Sequence, residues 1–384
     1  MTPFDYGPRT RIVFGPDTID QLGELACEIG IRRALIVSDP GIVEAGHTNR
    51  GLAALKRAGI ETQLFDGVFE NPSTKEVEHG LQVANQFTPE LIVGLGGGSS
   101  MDCAKGINFL YSNGGQMEDY WGVGKAMRAM LPMIAIPTTA GTGSETQSFA
   151  LISDAKTHVK MACGDKKASF RVAILDPKLT MTQPSRITAL TGVDAFVHAI
   201  ETYVTQRRNA ASLAFSREAW LLISENFSRV IDNPDDLNAR SAMQLGASFA
   251  GLAIENSMLG AAHALANPLT ARYGIVHGQA VGLMLPHVIR FNGAQYNPWY
   301  EQLLEIASGS RGVPSPGQGA EGIAQFATEL VLRAGLSTRL IELGVQQDQL
   351  PRLAADAQQQ WTVKFNPREA NESDLLKLYE AAFD

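Results

Sequence analysis

Up to about residue 180 the chain alternates short apolar runs with stretches of helical spacing. Beyond that point only the helical spacing continues. Residues 33–38 (R-A-L-I-V-S) predict a strand closed by Asp39, Pro40 and Gly41. A helix follows to about Lys56, then a strand over 61–65 and a helix over 73–86. Residues 90–94 predict a buried strand, 95–100 (L-G-G-G-S-S) a turn and 101–110 a helix. Residues 132–136 predict the next strand, ending in Pro137, Thr138 and Thr139. Short strands over 149–152 and 159–162 suit a hairpin, and 171–175 is a strand closed by Asp176 and Pro177. This βαβα order implies a mainly parallel sheet with helices on both faces. After Pro184 the β-branched runs fade, and 187–205, 212–227, 236–252, 258–271 and 276–291 all carry helical spacing. Residues 314–319 (P-S-P-G-Q-G) are a loop, with helices resuming after it. The expected architecture is an α/β domain over 1–180 and an all-helical domain over 181–384.

Composition narrows the class. A chain of 384 residues is too long for one small core, and 45% hydrophobic with 19% charged residues is ordinary globular composition. The net charge of -8, with no basic run, argues against nucleic acid as a partner. Cys27, Cys103 and Cys163 are odd in number and far apart, so neither a disulfide framework nor a C-x-x-C knuckle is expected. The N-terminal residues lack an apolar leader core, and no run of about 18 apolar residues exists. A cytoplasmic protein without a membrane span is therefore expected.

Two pairs of residues in the helical half change that bland picture. Asp194 and His198 stand in D-A-F-V-H, a spacing that puts both side chains on one helix face. His263 and His277 open and close H-A-L-A-N-P-L-T-A-R-Y-G-I-V-H. Three imidazoles and one carboxylate suit iron or zinc rather than calcium or magnesium. Each residue also has an ordinary reading. Thr191 can cap a helix start with Asp194 completing the box, and a lone histidine is more often core or surface. The second signal is the glycine turn between strand and helix. Glycines there let backbone N–H groups approach a pyrophosphate, whose charge the helix dipole favours. Ser99 stands where the last glycine of G-x-G-x-x-G would be, and the alternative is a tightly packed turn. Asp39 either ends its strand as a simple turn residue or accepts hydrogen bonds from adenosine ribose hydroxyls, where it would repel a 2′-phosphate. Because ligand sites favour crevices between domains, a cofactor held by the first half is expected to meet a metal held by the second.

Three ordered motifs give these residues a common reading: G-G-G-S-x-x-D at 96–102, P-T-T-A-G-T-G-S-E at 137–145 and G-V-D-A-F-V-H-A-I-E at 192–201, with the two downstream histidines. Over nearly its whole length the chain resembles the iron-containing (group III) alcohol dehydrogenases. The resemblance implies a dinucleotide-binding α/β domain and a helical domain whose metal ligands are Asp194, His198, His263 and His277. It implies NAD as cofactor, with Fe2+ (or Zn2+) as a Lewis acid, and a small alcohol, aldehyde or ketone as substrate. Gly97, Gly98 and Ser99 are then expected to hold the pyrophosphate, with Asp102 anchoring the turn. Thr138, Thr139 and Thr142 line the cofactor groove, and Asn71, Phe149, Lys160 and Leu179 match further cofactor-side positions. The match tips Asp39 toward selecting NAD over NADP. Asn267 departs from the pattern, since many relatives carry histidine there, and an amide does not shuttle protons near neutral pH. Phe149 and Met258 suit a small aliphatic substrate or simply the core.

The family is usually dimeric. Residues 11–15 (R-I-V-F-G) form an edge strand, pairing either across a two-fold or within their own sheet. Among rival readings, a lyase resembling dehydroquinate synthase needs a dense basic pocket that this chain lacks around the ligands. Enzymes resembling glycerol dehydrogenase usually lack one of the four ligands. A dinucleotide sensor has no need of a Lewis acid.

Overall fold

The computed structural model describes residues 3–157, 159–310 and 312–384. The chain divides into two units. One comprises Gly7–Thr139 and Gly143–Gln183, and the other comprises Pro184–Asp384, Ala140–Thr142 and the N-terminal residues through Tyr6.

The first unit is α/β. In chain order it contains β1 (Arg11–Phe14), α1 (Leu22–Ile29), β2 (Arg33–Val37), α2 (Pro40–Glu44), α3 (His47–Arg57), β3 (Glu61–Phe65), α4 (Thr74–Phe87), β4 (Leu91–Gly96) and α5 (Gly98–Asn113). There follow β5 (Gly122–Val123), β6 (Met133–Pro137), β7 (Phe149–Ser153), β8 (Lys160–Gly164) and β9 (Val172–Leu175). Six strands form a parallel sheet in the order β1-β9-β6-β4-β2-β3. Its inner strands are buried, which is why 33–38 and 90–94 read as nearly continuous apolar runs. Ile36, Val93, Ile134 and Ile174 from four adjacent strands share one core with Leu22 and Leu55. After β3, on one side of β2, the chain crosses to β4 on the other side. The carboxyl ends of β2 and β4 therefore border a switch point, where open α/β sheets bind ligands.

Local chemistry sets the helix starts. Ser73 and Glu76 form a capping box at α4. Asp39 caps α2, with Pro40 in its first turn. The single helix expected up to Lys56 is broken at Gly46, whose φ of 81° no helix accommodates. The expected hairpin forms as antiparallel β7 and β8, with β5 added alongside β8. β1 pairs with β9 of its own chain at the sheet edge.

The second unit is helical: α6 (Ser185–Val204), α7 (Ala210–Asp232), α8 (Leu237–Asn256), α9 (Ala261–Tyr273), α10 (His277–Ile306), α11 (Gly319–Arg333), α12 (Leu350–Gln358) and α13 (Glu372–Ala381). α6 is buried along nearly its whole length, with apolar residues on most of its surface and Asp194, His198 and Glu201 buried along one face. Phe196 of α6 packs against Trp220 of α7 and Phe326 of α11. α10 runs past the expected end at residue 291, through Asn292 and Gly293, with a kink at Tyr296. Gly293 is there for closeness: a Cβ on it would lie 2.4 Å from Cβ of Ala320. Among the described residues no helix is long and apolar enough to cross a membrane.

Candidate metal centre and nucleotide cradle

Three helices deliver the four candidate ligands. Asp194 and His198 lie one turn apart on α6, while His263 and His277 stand in the first turns of α9 and α10. α6 begins at Ser185, so Thr191 lies inside it and donates its hydroxyl to Ile187 O at 2.8 Å. The alternative in which Thr191 and Asp194 form a helix cap is thereby excluded.

The four side chains converge. Nε2 of His198, His263 and His277 lies 3.3, 3.6 and 3.7 Å from Asp194 Oδ1. His198 Nε2 and His263 Nε2 are 3.1 Å apart. Donors about 2.1 Å from one tetrahedral cation would be separated by roughly 3.4 Å, so these spacings fit one ion. The other ring nitrogens are occupied. His198 Nδ1 faces Gly141 O at 3.3 Å, and His263 Nδ1 faces Glu201 Oε2 at 2.5 Å. If both Nδ1 atoms carry the protons, two Nε2 lone pairs face each other across 3.1 Å. That arrangement is repulsive unless a cation or proton lies between them. Asp194 Oδ1 is buried and has no hydrogen-bond partner among the described residues. An orphaned carboxylate oxygen facing imidazole lone pairs is what a divalent transition metal would satisfy.

Electrostatics agree. Burial alone would raise the Asp194 pKa, but the three imidazoles outweigh it and hold the carboxyl well below the usual range. Burial opposes charge on His263, yet Glu201 and Asp194 prevail and hold its pKa at about 9. His198 is pushed down, mainly by burial. Asp194, His198 and His263 have side chains 6–7% exposed, whereas His277 is 27% exposed, so the centre opens on the His277 side.

Glu201 was not singled out from the sequence. The available signal was its spacing: it follows Asp194 by seven residues and His198 by three, on the same helix face. Asn267, one turn after His263, donates to Gln360 Oε1 at 3.0 Å. Met258 is buried.

In the α/β unit, most candidate cofactor residues gather at the switch point. Gly97 is the N-cap of α5 and no side chain caps that helix, so its first turn keeps free N–H donors around Gly98 and Ser99. Gly96 has φ 150°, and a Cβ there would lie 2.4 Å from Ser100 Oγ and 3.1 Å from Asp39 Oδ2. Asp39 serves the turn, accepting from Ile42 N at 3.1 Å and from Ser100 Oγ at 3.2 Å. Thr138 N donates to Gly96 O at 3.0 Å, and its buried hydroxyl has no partner among the described residues. Thr139 lies against Gly97. Asn71 N donates to Ser99 Oγ at 3.3 Å, and Asn71 Oδ1 accepts from Lys160 Nζ at 3.1 Å. An uncapped helix start beside glycine backbone fits a pyrophosphate.

Asp102 does more than anchor the turn. It accepts from Ser144 Oγ at 2.7 Å, and burial pushes its pKa up against the pull of Lys105. Fully buried Lys105, also missed in the sequence, donates to Ser144 O and Oγ and to Phe149 O, tying α5 to residues 144–149. Phe149 begins β7 and covers Gly164. Leu179 is only 1% exposed and packs in the sheet core. Thr142 is set apart from the rest, grouping with the helical unit.

Comparison with known proteins covers both units. A family model described as iron-containing alcohol dehydrogenase matches residues 8–177. A second, the C-terminal part of the Fe-containing alcohol dehydrogenase family, matches 188–383. The NAD-dependent methanol dehydrogenase of Bacillus methanolicus is 32% identical over 382 residues, covering 100% of both chains. Among solved structures, a 1,3-propanediol oxidoreductase superposes with TM-score 0.95 at 33% identity, covering 100% of both chains. The sulfoacetaldehyde reductase of Bifidobacterium kashiwanohense, solved in complex with NAD+, gives TM-score 0.90 at 27% identity, covering 100% of this chain and 99% of the other.

Proposed function

The chain belongs to the iron-containing alcohol dehydrogenase family, and from that premise we infer which of its residues do the chemistry. The reaction is hydride transfer between a nicotinamide cofactor, NAD, and a small alcohol or its carbonyl partner. Asp194, His198, His263 and His277 hold the divalent cation. The observation that carries this assignment is the buried, unpartnered Asp194 Oδ1 with three imidazole Nε2 atoms 3.3–3.7 Å away. When bound, the cation supplies Lewis-acid polarisation of the substrate oxygen and the nicotinamide carries the hydride.

The chain's own residues supply position and exclusion. The opening beside His277 admits the substrate, while the burial of Asp194, His198 and His263 keeps bulk water from the other side. Asn267 is held by Gln360 and moves no proton, so the alcohol proton leaves by water or a cofactor hydroxyl. Gly97, Gly98 and Ser99 take the pyrophosphate at the start of α5, with Asp102 bracing the turn through Ser144. Asp39 accepts from the adenosine ribose and disfavours a 2′-phosphate. Asn71, Thr138, Thr139, Thr142, Phe149, Lys160 and Leu179 complete the cofactor contacts. Relatives named for methanol and 1,3-propanediol support short primary alcohols or diols as substrates. The enzyme acts in the cytoplasm as a homodimer. Three unpaired cysteines support a reducing compartment, and the open edge of β1 supports pairing with a second copy.

The test is metal analysis of anaerobically purified protein together with NADH absorbance over a panel of short alcohols and aldehydes, with and without ferrous ion. One bound iron or zinc per chain and iron-dependent turnover are expected, with His263→Ala nearly inactive. Near-normal turnover by His263→Ala would remove the cation from the reaction.

A further inference from the structure

The first turn of α9 sets two donors against one buried side chain. Glu201 is 3% exposed. Its Oε1 accepts from Ala262 N at 2.7 Å, and its Oε2 lies 2.5 Å from His263 Nδ1. Asn366 Oδ1 takes the neighbouring Ala261 N at 3.3 Å, and Asn366 is fixed by Asn292 at 2.7 Å. Gly260 lets α9 come this close, since a Cβ on it would stand 3.1 Å from both Glu201 Oε1 and Asn366 Oδ1. No side chain caps α9 at its N-cap residue, Gly260, so these two buried acceptors from elsewhere in the unit do that work.

We propose that Glu201 is a positioning residue for the cation, keeping the His263 proton on Nδ1 so that Nε2 presents a lone pair beside Asp194. The inference rests on the assignment of Asp194, His198, His263 and His277 as ligands. An imidazole free to rotate or change tautomer would offer Nε2–H to the centre or turn away. A carboxylate on Nδ1–H fixes both ring and tautomer and makes Nε2 a better donor. Glu201 adds a second function that a lone hydrogen bond to Nδ1 would lack. The same carboxylate grips the backbone immediately before His263, so ring orientation and helix position are set by one group. A carboxylate is required because both neighbours are donors. Glutamine has a single carbonyl oxygen, and its amide NH2 would face either Ala262 N–H or His263 Nδ1–H, donor against donor. Charge points the same way: with Asp194, Glu201 makes two buried carboxylates around the imidazoles, which one divalent cation neutralises.

The experiment measures Co2+ binding to wild type, Glu201→Gln, Glu201→Asp and His263→Ala, each stripped of metal, by competition with a chromogenic chelator and by the visible absorption of bound Co2+. Melting temperatures of the metal-free proteins are recorded alongside. Glu201→Gln is expected to bind Co2+ about 10- to 100-fold more weakly with an altered absorption band. Glu201→Asp, which keeps both acceptors on a shorter arm, is expected to recover part of that loss. If Glu201→Gln does not fold, the proposal stands or falls on Glu201→Asp, expected weaker than wild type with a shifted band. Wild-type affinity and spectrum in the folded Glu201 variants, with His263→Ala unable to bind, would overturn the role of Glu201 and leave the ligand set intact. Equal binding by His263→Ala and wild type would instead overturn the ligand assignment. A loss of metal-free melting temperature with unchanged Co2+ affinity and spectrum would reduce Glu201 to a helix support, against the proposal.

Discussion

Single side chains here carry paired duties, and substitutions can separate them. Asp39 accepts the Ile42 N–H as the cap of α2 while its charge faces the glycine turn. Asparagine is as good a cap as aspartate but lacks the charge. Asp39→Asn is therefore expected to leave stability within about 0.5 kcal/mol and to raise the kcat/KM ratio of NADP+ to NAD+ about tenfold or more, which is about 1.4 kcal/mol. An unchanged ratio in steady-state kinetics would return Asp39 to a purely local role. His287 on α10 is a different case, on the same helix as His277 but outside the ligand set. Burial and nearby Arg290 push its pKa down from 6.5 to about 4. Between those values the unfolded chain binds the proton and the folded chain does not, so stability is full above pH 6.5 and falls as pH drops toward 4. The shift corresponds to about 3 kcal/mol, of which about 2 kcal/mol is lost by pH 5. Replacing His287 with glutamine should flatten that decline in urea unfolding at pH 7 and pH 5. An equally steep decline in the variant would assign the acid sensitivity to other groups.

Elements bring the ligands together, and glycine spacing decides how closely. A Cβ on Gly278 would lie 2.1 Å from Leu190 O, so the start of α10 rests on the backbone of α6 one turn before Asp194. Gly278→Ala must push that start outward, carrying the adjacent His277 with it. Gly293→Ala crowds Ala320 at 2.4 Å on the same α10, far from the ligands. Both are expected to cost about 1–3 kcal/mol through overpacking. Only Gly278→Ala should also weaken Co2+ binding, by at least about tenfold, in the same chelator competition; equal affinity in the two variants would contradict this. The same elements show what a sequence makes visible. β2 and β4 were legible because buried parallel strands are continuous apolar runs punctuated by D-P-G and G-G-G. Asp194 and His198 were legible because a helix repeats every turn. α10 continues beyond the expected end at 291 because Asn292 and Gly293 do other work there: Asn292 is spent on Tyr300 and Asn366, and Gly293 on closeness to Ala320. α5 starts at Gly98, earlier than the apolar spacing suggested, because its first turn is glycine and serine kept bare of a cap. Glu201 and Lys105 escaped notice for one reason. A charged residue in a helix is usually solvated, and only the fold reveals that Ala262 N–H, Ser144 and Phe149 O come to meet them.

At the scale of the molecule, the centre ties together parts of the chain that are far apart in sequence. Its ligands come from α6, α9 and α10, spanning residues 194 to 277, and Glu201 and Asn366 extend the linkage to the start of α13's approach segment. A cation bound only by the folded state stabilises it by mass action, by about 4 kcal/mol when its concentration is a thousandfold above Kd. Without the cation, a proton on His263, held there by Glu201 and Asp194, takes its place between the buried groups, so removal of metal lowers stability through the loss of this mass-action term. For a unit of this size each kcal/mol moves the melting temperature by roughly 2–4 °C, which places the expected loss on chelation on the order of 10 °C. The measurement is a thermal scan of the anaerobic protein before and after exhaustive chelation, with ferrous ion added back in increments. A transition that rises with added iron and saturates at one ion per chain is the expected result. A melting temperature indifferent to iron, in protein shown to bind it, would mean that the unfolded chain binds the ion as well as the folded one does, which contradicts a cation held by four residues that only the fold brings together.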